Sequence, residues 1–313
     1  MPLNYHATLL ADEVRTRAFL KALEKTISPG MQVLDIGTGS GILAFYAARL
    51  GARVTAVEIG EILDFARVVA ESNGWDVRFL KGDFLKIDRT EFEAYDVIVS
   101  ETIGNMMLDE EIVRIMSRAR EMLKPGGKLI PFRLKAYAAL AFSSVVEKAL
   151  SFWEDRRYGI DFSILKEFMT NSYFWDSRQD ADVLSRPFFI VEVDLYSAEP
   201  GRRENGGEFL VERDGTANAV LLWWEVELVP GVILDLAPEK TWPNQSWYRV
   251  LLPCGPLSVE AGKTIPFYYC YDERLGSGNV SWSVAGETRS AVFSAPLTAE
   301  RRRRIFGVEP SPP

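Results

Sequence analysis

The sequence predicts an α/β chain: a doubly wound, mainly parallel sheet followed by a mainly antiparallel β domain. Three observations predict it. Residues 33–43, Val-Leu-Asp-Ile-Gly-Thr-Gly-Ser-Gly-Ile-Leu, pass from an apolar run through an acid and three glycines into an amphipathic segment, the pattern of strand, tight loop and helix. Apolar strands then alternate with helical segments as far as Pro131. Beyond it lie short aromatic runs of alternating polarity, separated by Gly, Pro, Asn or Asp.

In chain order, a helix is expected over residues 9–27, ended by Ser28-Pro29-Gly30, and the strand 33–36 leads into a helix over 42–50 that stops at Gly51. A second strand, 53–58, ends in Glu58. A helix over 61–72 stops at Asn73-Gly74, and a third strand covers 76–80. After the turn Lys81-Gly82-Asp83-Phe84, a fourth strand, 95–100, reaches Glu101. The last helix of this part is expected over 110–123, with Lys124-Pro125-Gly126-Gly127 ending it before a strand over 128–130. Such spacing gives an open sheet whose ligand lies at the carboxyl ends of the strands.

The second domain has strands expected at 187–196, 221–229, 246–252, 265–271 and 279–285, arranged as a barrel or sandwich. A helical stretch over 145–170 is split near Tyr158-Gly159. A sheet burying one face accounts for most Trp and Tyr residues here, ahead of an aromatic cage. The expected domains are 1–131 and 132–313, with a helical arm near 158–178 in the second.

Composition excludes several function classes. The 313 residues contain one histidine, His6, so a Ser/His/Asp triad or a His/Cys metal cluster is not expected. Two cysteines, Cys254 and Cys270, are too few for a disulfide framework and suit a reducing cytoplasm. The formal charge of −8 argues against nucleic acid as a partner and suits a cationic substrate. No apolar run approaches the length of a membrane span, and residues 1–10 lack the pattern of a secretory signal. The run Arg301-Arg302-Arg303-Arg304 is expected to be a solvated end.

A dinucleotide fingerprint needs its third glycine three residues after the second, but Gly41 comes one residue early and Ile42 holds that place. A pyrophosphate cradle is therefore disfavoured. Apolar strand, Asp, x, Gly, x, Gly, x, Gly resembles instead the first motif of the class I S-adenosylmethionine (SAM) methyltransferases. Glu58, at the end of the second strand, stands where α/β folds place an acid on a ribose diol, and Asp83 follows the third strand near the same rim. Together with Asp35 they are in register with a SAM site.

After the fourth strand comes Ser100-Glu101-Thr102-Ile103-Gly104-Asn105-Met106-Met107-Leu108-Asp109-Glu110. Two acids nine residues apart on a Gly-containing loop can turn into one pocket and hold a guanidinium by charge-assisted bonds. The bland alternative is that Glu110 merely favours a helix N-terminus.

Glu101 and Glu110 match the double-glutamate loop of the protein arginine methyltransferase family, and Asp12-Glu13-Val14-Arg15-Thr16 matches its segment ahead of the SAM motif. The chain resembles that family over nearly its whole length. Trp153-Glu154 and Tyr158-Gly159-Ile160-Asp161 look like the start of its dimerisation arm. The resemblance implies catalytic roles for Glu101 and Glu110. It implies SAM contacts for His6, Arg15, Asp35, Gly37, Thr38, Gly39, Glu58, Ile59, Asp83, Phe84 and Glu101, and no metal. It also implies an arginine-containing substrate (protein, peptide or free arginine) and a homodimer. A small-molecule methyltransferase with another acceptor and a non-catalytic SAM-binding interaction module are the alternatives.

Two departures stand out. The family's aromatic helix, Tyr-Phe-x-x-Tyr, lies upstream of His6, where this sequence has five residues, so that lid is expected to be missing or replaced. The family's Thr-His-Trp loop falls at Gln245-Ser246-Trp247, with Trp242 an alternative register, and no histidine is present to pair with Asp12.

Overall fold

The computed structural model describes residues 3–177, 179–275 and 279–291. The chain runs α1 (Leu3–Ala11), α2 (Glu13–Thr26), β1 (Gln32–Ile36), α3 (Ile42–Arg49), β2 (Arg53–Glu58), α4 (Ile62–Asn73), β3 (Val77–Lys81), β4 (Tyr95–Ser100), α5 (Ile112–Arg120) and β5 (Leu123–Ile130). The five strands form one parallel sheet in the order β3-β2-β1-β4-β5. Their cores are apolar because helices cover both faces: Val33, Leu34, Ile98 and Val99 are all fully buried. Strand order reverses between β1 and β4, so the loops after β1, β2 and β4 meet beyond their carboxyl ends.

β2 and β4 occupy their expected spans, β1 and α3 differ from expectation by one residue at one end, and α4 and β3 are each shifted one residue toward the C-terminus. Elsewhere the local chain departs from the pattern. The one helix expected over 9–27 is two, because Asp12 leaves helical geometry and its carboxylate accepts the Arg15 amide at 3.1 Å, capping α2. The helix expected over 110–123 is confined to α5, since Glu111 takes a left-handed φ of 62°. Glu110 therefore stands outside the helix. Residues 124–127, expected to end that helix, lie inside β5 at a shift of register against β4.

The second part continues with β6 (Arg133–Phe142), α6 (Ser144–Ser151), α7 (Ile164–Thr170), β7 (Phe174–Trp175), β8 (Asp182–Val183), β9 (Phe188–Asp194), β10 (Arg202–Leu210) and β11 (Gly215–Val229). β12 (Val232–Asp235), β13 (Val250–Val259), β14 (Thr264–Asp272), β15 (Val280–Val284) and β16 (Glu287–Ser290) complete it. β10, β14, β15 and β16 form an antiparallel sheet in that order, and β13 pairs antiparallel with β7 and with residues 215–222 of β11. Among the described residues no sheet closes into a barrel.

β10 was not expected, because Arg-Arg-Glu-Asn-Gly-Gly-Glu-Phe-Leu shows no apolar alternation until its last residues. The strand expected over 246–252 begins only at Val250, because the Ser246 amide bonds the Asp12 carboxylate instead of a strand neighbour. Aromatic residues serve mainly as core. Phe209 and Phe267 pack at 4.4 Å between centroids, and fully buried Trp282 donates to the Pro253 carbonyl at 2.8 Å.

Two compact units divide the chain. The first takes the residues up to Lys135 together with Glu192–Pro200 and Trp224–Trp247; the second takes Ala136–Val191, Gly201–Trp223 and the chain from Tyr248 onward. Within the second, α6 precedes the arm, which carries a hairpin bridged between Arg157 and Ile160 and α7, which buries none of its residues. The four arginines 301–304 lie outside the described residues.

Candidate active site

The loop after β1 explains the glycine spacing. Gly37, Gly39 and Gly41 have φ of 75°, 54° and 92°, in the region closed to most side chains. A Cβ at Gly37 would lie 2.8 Å from Thr102 Cγ2, and one at Gly41 would lie 2.2 Å from the Phe45 ring. Gly41 is the N-cap of α3, which is why the third glycine comes early. The amides of Gly37 and Thr38 donate to the Val57 carbonyl at 2.9 and 3.0 Å, tying the loop to β2.

Glu58 joins two loops at this rim. Its carboxylate accepts the Gly39 amide at 2.9 Å and the Gly60 amide at 2.7 Å. From α1, buried His6 packs against the same loop; a Cβ at Gly39 would lie 3.4 Å from its Nδ1. Burial holds the imidazole below its ordinary pKa, although the Glu58 charge opposes that. Asp35 lies beneath the loop, 1% exposed, and accepts the Thr38 hydroxyl at 2.6 Å. Burial pushes its carboxyl up to about 7.

The glycine loop, Glu58 and His6 border a cavity of about 320 Å³, a size in the range of small-molecule sites. Of the expected residues, His6, Arg15, Gly37, Thr38, Gly39, Glu58, Ile59, Glu101 and Glu110 line it. Asp35, Asp83 and Phe84 do not. Asp83 accepts the Leu85 amide at 3.0 Å and pairs with Lys86 at 2.9 Å, which holds its carboxyl below the usual range and turns it into its own loop. Phe84 is buried against Phe92, with the Arg118 guanidinium over its ring. Tyr5, Leu9, Leu10, Thr102 and Asn105 also line the cavity, and nothing in the sequence marked them beyond their nearness to His6 and Glu101.

Glu101 and Glu110 both face this cavity but differ in environment. Glu101 is ion-paired with Arg15, whose guanidinium also donates to Ser246 Oγ at 3.3 Å and lies 5.0 Å from the centroid of the Trp247 ring. Burial raises the Glu101 pKa, while Arg15 opposes that rise. Glu110 is exposed and lines the cavity, yet the protein around it desolvates the carboxylate. That desolvation, and then the charges of Glu101 and Asp109, push it up to about 7. Perturbed carboxyls gathered in one concavity mark a functional site.

The residues present fit the SAM that the resemblance implies. Glu58 offers acceptors for a diol beside a loop kept clear of side chains, and Arg15 has five N–H donors, enough to serve Glu101 and a second carboxylate.

Comparison with known proteins agrees. The methyltransferase domain family matches residues 33–127, and the arginine methyltransferase oligomerization subdomain matches residues 135–265. An arginine N(omega)-methyltransferase of Streptomyces achromogenes subsp. streptozoticus is 32% identical over 278 residues, which is 84% of this chain and 74% of that protein. Protein arginine N-methyltransferase 6 of Danio rerio is 33% identical over 266 residues, 79% of this chain and 75% of that one. In fold, the chain resembles the Trypanosoma brucei PRMT1 enzyme–prozyme heterotetrameric complex with AdoHcy, with a TM-score of 0.79 at 23% identity over 90% of this chain and 93% of that one. Protein arginine methyltransferase 10 of Arabidopsis thaliana aligns with a TM-score of 0.71 at 22% identity over 92% of this chain and 96% of that one.

Proposed function

Because this chain belongs to the protein arginine methyltransferase family, we propose that its cavity binds SAM at the Gly37–Gly41 loop and an arginine guanidinium between Glu101 and Glu110. The reaction is SAM-dependent N-methylation of that guanidinium. What carries the reading is the convergence of both glutamates, the glycine loop and Glu58 on one cavity wall.

SAM, when bound, supplies an electrophilic sulfonium methyl. Glu58 holds the ribose diol and Arg15 the cofactor carboxylate. Glu101, its charge balanced by Arg15, and Glu110, which makes no ion pair among the described residues, grip the planar fork of the guanidinium. They aim one nitrogen along the line of displacement, so positioning and electrostatics do most of the work. Glu110 then takes the proton that the methylated nitrogen releases, a role that suits a carboxyl whose pKa stands near 7.

We also read the protein as a homodimer. On the arm, Tyr158, Ile160 and Ile164 are 101%, 57% and 64% exposed, and on α4 Phe65 and Val68 are 53% and 63% exposed. Apolar surface of that extent favours a second copy. No described helix is long and apolar enough to cross a membrane, and the two free buried cysteines suit the cytoplasm.

The test offers labelled SAM with free arginine, an arginine-rich peptide and a cell lysate, and reads products by mass. Methylarginine from any of them supports the reading. Methyl transfer to another acceptor favours a small-molecule enzyme, and SAM binding without turnover favours an interaction module.

A further inference from the structure

The segment from Thr102 to Asp109 is irregular, yet its backbone is tied at three points. Trp247 Nε1 donates to the Ile103 carbonyl at 2.8 Å, and Trp224 Nε1 donates to the Asn105 carbonyl at 3.3 Å. The third tie is made by the loop itself: the Met106 amide donates to Asp109 Oδ1 at 2.9 Å. It closes a sharp turn in which the Met107 amide donates to the Gly104 carbonyl at 2.9 Å and Met107 stands at a φ of 70°. A left-handed conformation at a non-glycine residue needs support from its surroundings.

That support is packed closely. The Asp109 carboxylate lies over Gly104, where a Cβ would sit 2.0 Å from Oδ1. Met106, Met107 and Leu108 are buried at 6%, 2% and 5% exposure, so the turn is anchored and the next residue, Glu110, leaves it in a set direction. The charged groups that act on Glu110 are Glu101 and Arg15, from other elements, and Asp109 beside it.

Building on the guanidinium reading above, we propose that Asp109, seated on Gly104, is the positioning residue for the second glutamate: its oxygen latches the turn at Met106 so that Glu110 faces the cavity with Glu101. Asp109 acts through Glu110 and does not itself line the cavity. Without the acceptor, the Met106 amide loses its partner and the turn its closure, and small displacements of a group that orients a nucleophile cost about 10²-fold in rate. Asn at position 109 keeps an oxygen in the same place. Ala at position 104 displaces the carboxylate from its seat.

The experiment compares Asp109→Ala, Asp109→Asn and Gly104→Ala in the full chain. It measures kcat on an arginine-rich peptide, the SAM dissociation constant by calorimetry, and the titration of the Glu110 side-chain carboxyl by ¹³C NMR. Asp109→Ala and Gly104→Ala should lower kcat by about tenfold or more and leave SAM affinity within about twofold. In both, Glu110 should titrate lower than in the wild type as it leaves its place; Asp109→Ala also removes a like charge, so its fall is judged against Asp109→Asn, which removes the same charge. Asp109→Asn should retain kcat within about threefold and keep Glu110 above the usual carboxylate range. Wild-type kcat and titration in Asp109→Ala would overturn the proposal, as would an Asp109→Asn that loses as much as Asp109→Ala. If the wild-type protein methylates no arginine acceptor, the guanidinium reading fails by itself, and the titrations still decide the role of Asp109.

Discussion

The Asp12 carboxylate accepts both the amide and the hydroxyl of Ser246, each at 2.8 Å, across 234 residues of chain. Its other oxygen accepts Trp242 Nε1 at 2.7 Å and the Arg15 amide at 3.1 Å. Both positions considered for the family histidine, Ser246 and Trp242, thus end on the same buried acid. Asp12 fixes the start of α2, and with it Arg15, to the 242–247 segment without a titrating partner.

Removing that node should cost stability. Asp12→Ala loses a helix cap and leaves buried donors unpaired, together about 3 kcal/mol. Ser246→Ala keeps the amide bond and should cost about 1 kcal/mol. Urea unfolding decides it: an Asp12→Ala protein with the wild-type midpoint would show that the four bonds do not hold the fold.

The two glutamates separate guanidinium recognition from a helix-end role. Glu101→Gln and Glu110→Gln should each cut turnover by about 10²-fold, because each weakens a charge-assisted bond and misaligns the nucleophile. The losses should not add in the double variant, since both acids hold one rigid group. SAM affinity and melting temperature should stay near wild type in Glu110→Gln. A Glu110→Gln enzyme with full turnover would remove Glu110 from the pocket.

The pH profile carries a second signature. Glu110 must be ionised to grip a cation, and desolvation with the Glu101 and Asp109 charges pushes its carboxyl up to about 7. Below that value kcat/KM should fall by about tenfold per pH unit, and Glu110→Gln should lose this limb. The stability effect has the opposite sign: a carboxyl with a raised folded pKa favours the folded state while protonated. Its contribution is present below the ordinary carboxylate range and is lost as pH rises toward about 7. A wild-type profile flat from pH 5 to about 8 would contradict the assignment.

Glu58→Ala tests the cofactor end. The loss of charge-assisted bonds to the ribose, and of the bridge between the Gly39 and Gly60 amides, should weaken SAM binding by about 1.5–3 kcal/mol. Calorimetry on a folded variant that shows unchanged affinity would place the diol elsewhere.

Light scattering at micromolar concentration should give twice the chain mass. Ile164→Asp, on the exposed arm, should shift it toward the monomer. A wild-type protein that scatters as a single chain would refute the dimer.

Local pattern by itself determined the parallel sheet and the glycine loop and placed Glu58 and Glu101 at strand ends, while the pairing of Glu110 with Glu101 came from the resemblance to the family. A strand buried on both faces, a turn that excludes a Cβ and an acid at a strand end each leave a short-range signature in residue type and spacing. β10 and β6 left none, because strand pairing satisfied backbone groups in a stretch whose side chains do not alternate in the expected way. Only the tertiary structure decided that Asp35, Asp83 and Phe84 lie off the cavity wall: one more hydrogen bond within its own loop turns each carboxylate aside, and Phe84 packs on Phe92, without changing any motif. It also decided that Asp12 ends one helix and begins another. Of the donors that hold Asp12 there, only the Arg15 amide is local; the others come from residues 242 and 246, more than two hundred positions away, and no local pattern contains them.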